Sequence, residues 1–235
     1  MPRKPRVSIA GVPEHVIQRG NNRQAIFVDD SDMKAFVTWL KDYAEKYDVA
    51  IHSWVFMTNH FHLLCTPLSQ SAVSLLMQSL GRRYVQYFNR RHERTGTLWE
   101  GRFRSCMVQA EDYVIELYRY IELNPVRAGM VNDPTQYSWS SYQCNGLGKK
   151  SSLLTPHPLY QNLGKTNETR QANYRELFRY SVEDRLLDNI RQTANSGLVL
   201  GNDRFVEKVE TKTGKQLHEC KRGRPAGWCK SAKPS

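Results

Sequence analysis

Apolar residues recur along the chain with two periods, and the switches between them outline a fold. "HVIQRG" (residues 15–20) alternates as a short strand and runs into the turn-rich "GNNRQ". "DDSDMKAFVTWLKDYAEKYD" is acidic at its start and carries Phe36, Val37, Leu40, Tyr43 and Tyr47 at helical spacing. It predicts a helix capped at Asp30 or Ser31. "VAIHSWVFM" is β-branched and aromatic, Thr58-Asn59 suits a tight turn, and "HFHLLCT" reads as the returning strand of a hairpin. "SQSAVSLLMQSLGRRYVQYFNRRH" predicts a long amphipathic helix with Val73, Leu76, Met77, Leu80, Tyr84 and Tyr87 on one side. "TGTLWEGRFRSCMVQ" reads as a turn and a strand, with Arg102 and Arg104 sharing a face. "EDYVIELYRYIELNPVRAG" predicts a helix that stops near Asn124, because Pro125 disfavours α conformation in its predecessor.

The order β-α-β-β-α-β-α predicts an α+β domain over residues 1–145 with a mainly antiparallel sheet. From Gly146 the texture changes. Residues 146–169 are rich in Gly, Ser, Thr and Pro and read as a linker. Residues 170–215 read as a helical extension, with helices at about 170–180, 182–194 and 203–213. Residues 216–235 read as a flexible basic tail. No internal repeat is visible.

Charge narrows the function classes. The net charge is +11, and it is clustered in "RKPR", "GRRYVQYFNRRHER" and "KRGRP". Such an excess favours a polyanionic partner, most simply nucleic acid. No run of eighteen apolar residues predicts a membrane span, and "MPRKPRVSIAGVPEH" lacks the apolar stretch of a secretory signal. Five cysteines, odd in number and scattered, argue against a disulfide framework. A cytoplasmic protein without a membrane partner is the expectation.

Candidate chemistry lies in "TNHFHLLCTP". On a strand, residues i and i+2 share a face, so His60 and His62 project side by side while Phe61 and Leu63 face a core. Two neutral imidazoles are half of a metal site. The helix at 111–124 can complete it, since Tyr120 and Asn124, at i and i+4, share a face. Tyr113 is off that face. Tyr118 lies about 200° from Tyr120 at 3.6 residues per turn, so one of the two can face the histidines. A hydroxyl beside a divalent cation is a phosphoryl-transfer arrangement: the cation withdraws charge from the phosphate and favours the phenolate. An amide oxygen from Asn124 would be a neutral third ligand.

These residues carry a family resemblance. "HFH" at 60–62 matches the His-hydrophobic-His (HUH) motif. "YFNRRHERTGTLWEGRFRS" (87–105), "RYIELNPVRAGMV" (119–131) and "YSWSSY" (137–142) resemble the REP-associated tyrosine transposases, single-tyrosine HUH nucleases related to small single-strand insertion-sequence transposases. The resemblance spans roughly residues 10–145. It implies a ferredoxin-like (RRM-like) antiparallel sheet with helices on one face. It implies His60, His62 and Asn124 as ligands of Mg²⁺ or Mn²⁺, and Tyr120 as the nucleophile. Where the insertion-sequence enzymes typically carry Gln, this chain has Asn124. The substrate so implied is single-stranded or hairpin DNA from palindromic repeats, recognised through a short tetranucleotide and cut through a 5′-phosphotyrosine. A monomer and a homodimer are both compatible.

Beyond the motif, Arg19, Asn21, Asn22 and Arg23 suit a base-reading loop, and Arg82, Arg83, Arg90, Arg91, Arg102 and Arg104 a backbone-binding surface. Lys221, Arg222 and Arg224 lie in "KRGRP", which resembles the AT-hook core. His218, Cys220 and Cys229 are too irregularly spaced for a zinc knuckle. The sequence therefore predicts a site-specific single-stranded DNA endonuclease and strand transferase. A non-cleaving DNA-binding regulator and an RNA-binding protein are the alternatives.

Overall fold

The computed structural model describes residues 6–217; Lys221, Arg222, Arg224 and the expected tail beyond Leu217 lie outside the described residues. The sheet begins with β1 (Glu14–Arg19), followed by α1 (Asp30–Lys46). β2 (Val49–Met57) and β3 (His60–Pro67) form a hairpin through Thr58-Asn59. Then come α2 (Ala72–Arg91), β4 (Arg104–Val108), α3 (Ala110–Glu122) and the single turn α4 (Asn124–Arg127). The short helices α5 (Tyr142–Asn145) and α6 (Pro158–Gln161) lead to α7 (Asn167–Leu177), α8 (Asp184–Ser196), β5 (Val199–Leu200) and α9 (Asp203–Thr213). Strand order is β2-β3-β1-β4-β5. The first four strands pair antiparallel, and β5 adds to β4 in parallel.

Helices cover both faces, where the resemblance implied one. On one face α1 and α2 bury Phe36, Leu40, Leu76, Leu80 and Tyr84 against Val16, Ile51, Trp54, Phe56, Phe61 and Leu63. On the other, α3 packs Val114, Leu117 and Ile121 against Val55, Met57 and Leu64. A β-bulge makes both layers possible. The β2–β3 register shifts between Ile51 and Ser53. The extra residue, His52, lets Val49 and Ile51 share a core with Trp54 and Phe56, and it turns Ser53 toward α3. His52 itself bonds the Thr155 carbonyl at 2.7 Å and Thr66 Oγ1 at 2.8 Å.

Residues 146–169 thus differ from a free linker. Leu153 and Tyr160 are buried, and the Thr155 amide donates to the Ile51 carbonyl at 2.7 Å. The cap of α1 also differs from expectation by one residue: Asp29 accepts from the amides of Ser31 and Asp32. Pro125 ends α3 as expected, yet it also starts α4, where its missing N–H costs nothing.

Glu122 knits the second layer together. Fully buried, it accepts from Ser141 Oγ, from Asn145 Nδ2 at 2.8 Å and from Tyr174 Oη at 2.6 Å. Burial pushes its carboxyl up to about 7 despite these donors. The folded state therefore holds the proton more tightly than the unfolded chain, and Glu122's contribution to stability falls as pH rises from about 4.5 to about 7. Glu122→Gln removes that dependence and keeps an acceptor oxygen. Between pH 5 and pH 8 the variant should gain on the parent by up to about 3 kcal/mol, at 1.36 kcal/mol per pKa unit. Urea unfolding of both proteins at the two pH values measures this; a pH-independent difference would mean that the carboxyl is ionised in the fold.

Candidate functional site

The register of β3 fixes the histidines. His60 stands opposite Arg19 and Met57, His62 opposite Ile17 and Val55, all on the face that α3 covers. The two imidazole centres lie 5.2 Å apart. The Tyr120 ring of α3 lies 5.8 Å from His62, nearly perpendicular to it. Tyr120 is 5% exposed. Tyr118 points elsewhere: it is fully buried, stacks on Tyr160 at 5.9 Å, and its hydroxyl accepts from the His157 amide. The helical repeat left one of the two tyrosines for the histidines, and it is Tyr120.

Each histidine is held through Nδ1. His60 Nδ1–H donates to Asn59 Oδ1 at 2.7 Å, which leaves the Nε2 lone pair open. His62 Nδ1 meets Nε2 of His15 at 2.9 Å, and the two rings stack at 5.2 Å. Such a partner on the far nitrogen is what a metal-binding imidazole needs to fix tautomer and orientation. Burial pushes His60 down to about 4, with Arg19 adding repulsion. His62 falls well below its ordinary value through burial first, then through His15, His60 and Arg127. Both rings are neutral at pH 7, the form that binds metal.

Asn124 begins α4, and its Nδ2 donates to the carbonyls of Tyr120 and Ile121, at 2.9 and 3.2 Å. Its amide oxygen remains for a ligand. No group of three or more His, Cys, Asp or Glu side chains that could hold a metal occurs among the described residues. The donors that β3 brings together are the two neutral imidazoles of His60 and His62, and a divalent cation held by them would keep open positions for phosphate oxygens, which bring the negative charge.

Three further side chains surround this centre. His15 is fully buried, and its Nδ1 has no hydrogen-bond partner. Arg127 lies 4.5 Å from the centre of the Tyr120 ring and donates to the Tyr120 carbonyl. Arg191, from α8, reaches the Tyr120 hydroxyl side. Burial raises the Tyr120 phenol, while Arg127 and Arg191 pull it back down. Spacing could have revealed two of the three. His15 shares a strand face with Ile17, and Arg127 is two helical turns beyond Tyr120. Nothing local marks Arg191.

The expected nucleic-acid contacts divide by environment. Arg19 makes a bidentate pair with Glu100 at 2.6 and 2.8 Å. Asn21, Asn22 and Arg23 form one 3-10 turn beside His60, with Asn22 and Arg23 at positive φ and exposed. Gly20 makes the turn possible, since a Cβ there would meet the Gln24 carbonyl at 2.2 Å. Arg82 and Arg102 line a groove of about 660 Å³ between α2 and the sheet. Arg83, Arg90 and Arg91 line a hollow of about 590 Å³ with Trp39. Arg91 is already bound to Asp29 and the Tyr87 hydroxyl. Arg102 and Arg104 do not share a face: Arg102 lies in the bend before the strand and lines the α2 groove, whereas Arg104 bonds Asn195 of α8. Tyr84 and Phe88 belong to the core.

The sequence profile of the family "Transposase IS200 like" matches residues 9–124. A solved REP-associated tyrosine transposase bound to a REP hairpin superposes with a TM-score of 0.51 at 17% identity, over 67% of this chain and 93% of that one. A structure described as a transposase candidate from Deinococcus radiodurans R1 is 23% identical over 52% of this chain and 96% of its own, with a TM-score of 0.37. No curated protein matches the chain. Among the described residues no helix is long and apolar enough to cross a membrane. The α+β fold is that of the REP-associated tyrosine transposase, and residues 9–124 carry the match to the IS200-like transposase family.

Proposed function

We propose that this protein is a single-stranded DNA endonuclease and strand transferase acting at short palindromic repeats, with Tyr120 as nucleophile. The observation that carries the reading is the meeting of three side chains from two elements: His60 and His62 on one face of β3, and Tyr120 of α3 at 5.8 Å from His62. The Tyr120 oxygen attacks the scissile phosphorus, the bond from phosphorus to the 3′ oxygen breaks, and a 5′-phosphotyrosine and a free 3′-OH result. The phenol proton is lost as the 3′ oxygen gains one. An incoming 3′-OH then reverses the exchange, so one phosphodiester replaces another with no net redox change. Nε2 of His60 and His62 with the Asn124 amide oxygen would hold Mg²⁺ or Mn²⁺, which when bound withdraws charge from the phosphate. Arginines position the DNA backbone, and the turn at Asn21–Arg23 reads bases. Incubation with single-stranded oligonucleotides taken from palindromes flanking the gene, followed by a denaturing gel, tests the reading: a covalent adduct supports it.

A preference for unpaired DNA follows from the site. Tyr120 is 5% exposed and fixed on a helix, so a phosphate must come to it. A splayed single strand does so at an unstacking cost of a few kcal/mol, whereas a paired duplex must first open. Cleavage of a single strand or hairpin should exceed that of the perfect duplex at least about tenfold, the factor that 1.4 kcal/mol supplies. Equal rates on both would contradict the arrangement. The second reading, a non-cleaving DNA-binding regulator, is favoured by that same burial of Tyr120, and it expects binding without any adduct.

A further inference from the structure

Two guanidinium groups from beyond the C-terminal end of the family match converge on Tyr120. Arg127 lies just beyond that end, and Arg191 lies in the extension. Arg127 has its Cζ 4.5 Å from the centre of the Tyr120 ring. Its Nη2 donates to the Tyr120 carbonyl, but its Nη1 is buried without any hydrogen-bond partner. Arg191 reaches the Tyr120 side chain, and its exposed flank donates to Asp188 Oδ1 at 3.2 Å. Arg127 and Arg191 repel each other, and no carboxylate stands among the groups acting on Arg127. A buried unpaired N–H on a cation is costly, and the neighbouring like charge of Arg191, whose own carboxylate partner Asp188 lies on its exposed flank, adds to the cost. Both costs vanish when an anion enters between them. The anion must be small enough to reach a tyrosine under α8, and a phosphodiester oxygen beside the Tyr120 hydroxyl meets that condition.

We propose that Arg127 and Arg191 form an anion clamp for the scissile phosphate, so that the C-terminal extension supplies a side chain to the reaction centre. The proposal rests on the reading of Tyr120 as nucleophile. Arg127, fixed through the Tyr120 carbonyl, offers Nη1 to one non-bridging oxygen. Arg191, half exposed on α8, offers its guanidinium to the phosphate as the strand arrives. Both contacts strengthen as charge builds on the phosphoryl oxygens during attack.

Arg191 gives the cleaner test, because its pair with Asp188 is exposed and contributes little to folding. Arg191→Ala and Arg191→Lys are assayed in single turnover with a cleavable oligonucleotide and with the same oligonucleotide carrying a neutral methylphosphonate at the scissile position. On the natural substrate Arg191→Ala should slow adduct formation by about 10²-fold, as loss of one aimed donor does, with Arg191→Lys partly restoring it. On the methylphosphonate the wild-type advantage should shrink to near unity. Oligonucleotide binding without added metal should lose about 0.7 from its salt slope, the share of one phosphate on a single strand. Arg127→Lys should fall in the same order. A wild-type rate in Arg191→Ala, an equal loss on charged and neutral substrates, or an unchanged salt slope would each overturn the clamp while leaving Tyr120 as nucleophile. Absence of any adduct with the parent protein would instead remove the reading on which the clamp stands.

Discussion

Tyr120→Phe should abolish the covalent protein–DNA adduct, lowering its formation by more than about 10³-fold, as removal of a nucleophile does elsewhere, and should leave oligonucleotide binding nearly unchanged. The substitution removes one oxygen from a ring that otherwise keeps its place. That ring packs edge-on against His15 and His62, at 5.7 and 5.8 Å, and under the guanidinium of Arg127. None of these contacts uses the hydroxyl. The fold should lose at most about 1 kcal/mol, the net worth of a single hydrogen bond. Tyr118→Phe is the control, since its hydroxyl serves the His157 amide in the core on the far side of α3. It should keep the adduct. A denaturing gel of both variants decides the assignment. An adduct from Tyr120→Phe together with its loss in Tyr118→Phe would reverse it.

The sequence revealed elements and faces better than it revealed what covers them. The period-2 pattern of "HFHLL" placed His60 and His62 opposite Phe61 and Leu63, and the sheet agrees. Helical spacing predicts one face for Tyr120 and Asn124, but α3 ends at Glu122 and Asn124 begins α4. Periodicity is local, so it served best within a single strand or helix. The second helical layer was illegible for the same reason. α6, α7 and α8 pack on α3 through residues far away in the chain, and Tyr174 reaches Glu122 from an element read as an appendage. β5 is two residues long and paired only by tertiary context. Residues 146–169 look like a linker by composition, yet a few residues, Leu153, Thr155 and Tyr160, suffice to dock them. Arg102 and Arg104 were misplaced because alternation was carried back beyond the start of β4 at Arg104 into the bend at residues 101–102. The bulge at His52 could not be read from alternation either, since it is alternation's local failure.

On the proposed reading His60 and His62 would be ligands and His15 their support, and replacement should separate the two. His60→Ala or His62→Ala removes one of two imidazole nitrogens from a set that has no carboxylate to fall back on. Cleavage dependent on metal should fall below detection, by more than about 10³-fold if the cation is lost from the site. His15→Ala should behave differently. His15 would touch no metal; it holds His62 Nδ1 at 2.9 Å and so aims the opposite nitrogen. Loss of such a supporting partner typically costs 10- to 100-fold in metal affinity. The defect should therefore yield to more Mn²⁺, whereas that of His62→Ala should not. EDTA should stop the parent enzyme, and Mg²⁺ or Mn²⁺ should restore it. All three positions are inside the sheet, so thermal melts must accompany the assays, and a variant that melts well above the assay temperature reports on chemistry. Full activity of the parent in chelator would refute a metal role for the pair. Equal, Mn²⁺-insensitive losses in all three variants would place His15 among the ligands and require a metal site of three imidazoles.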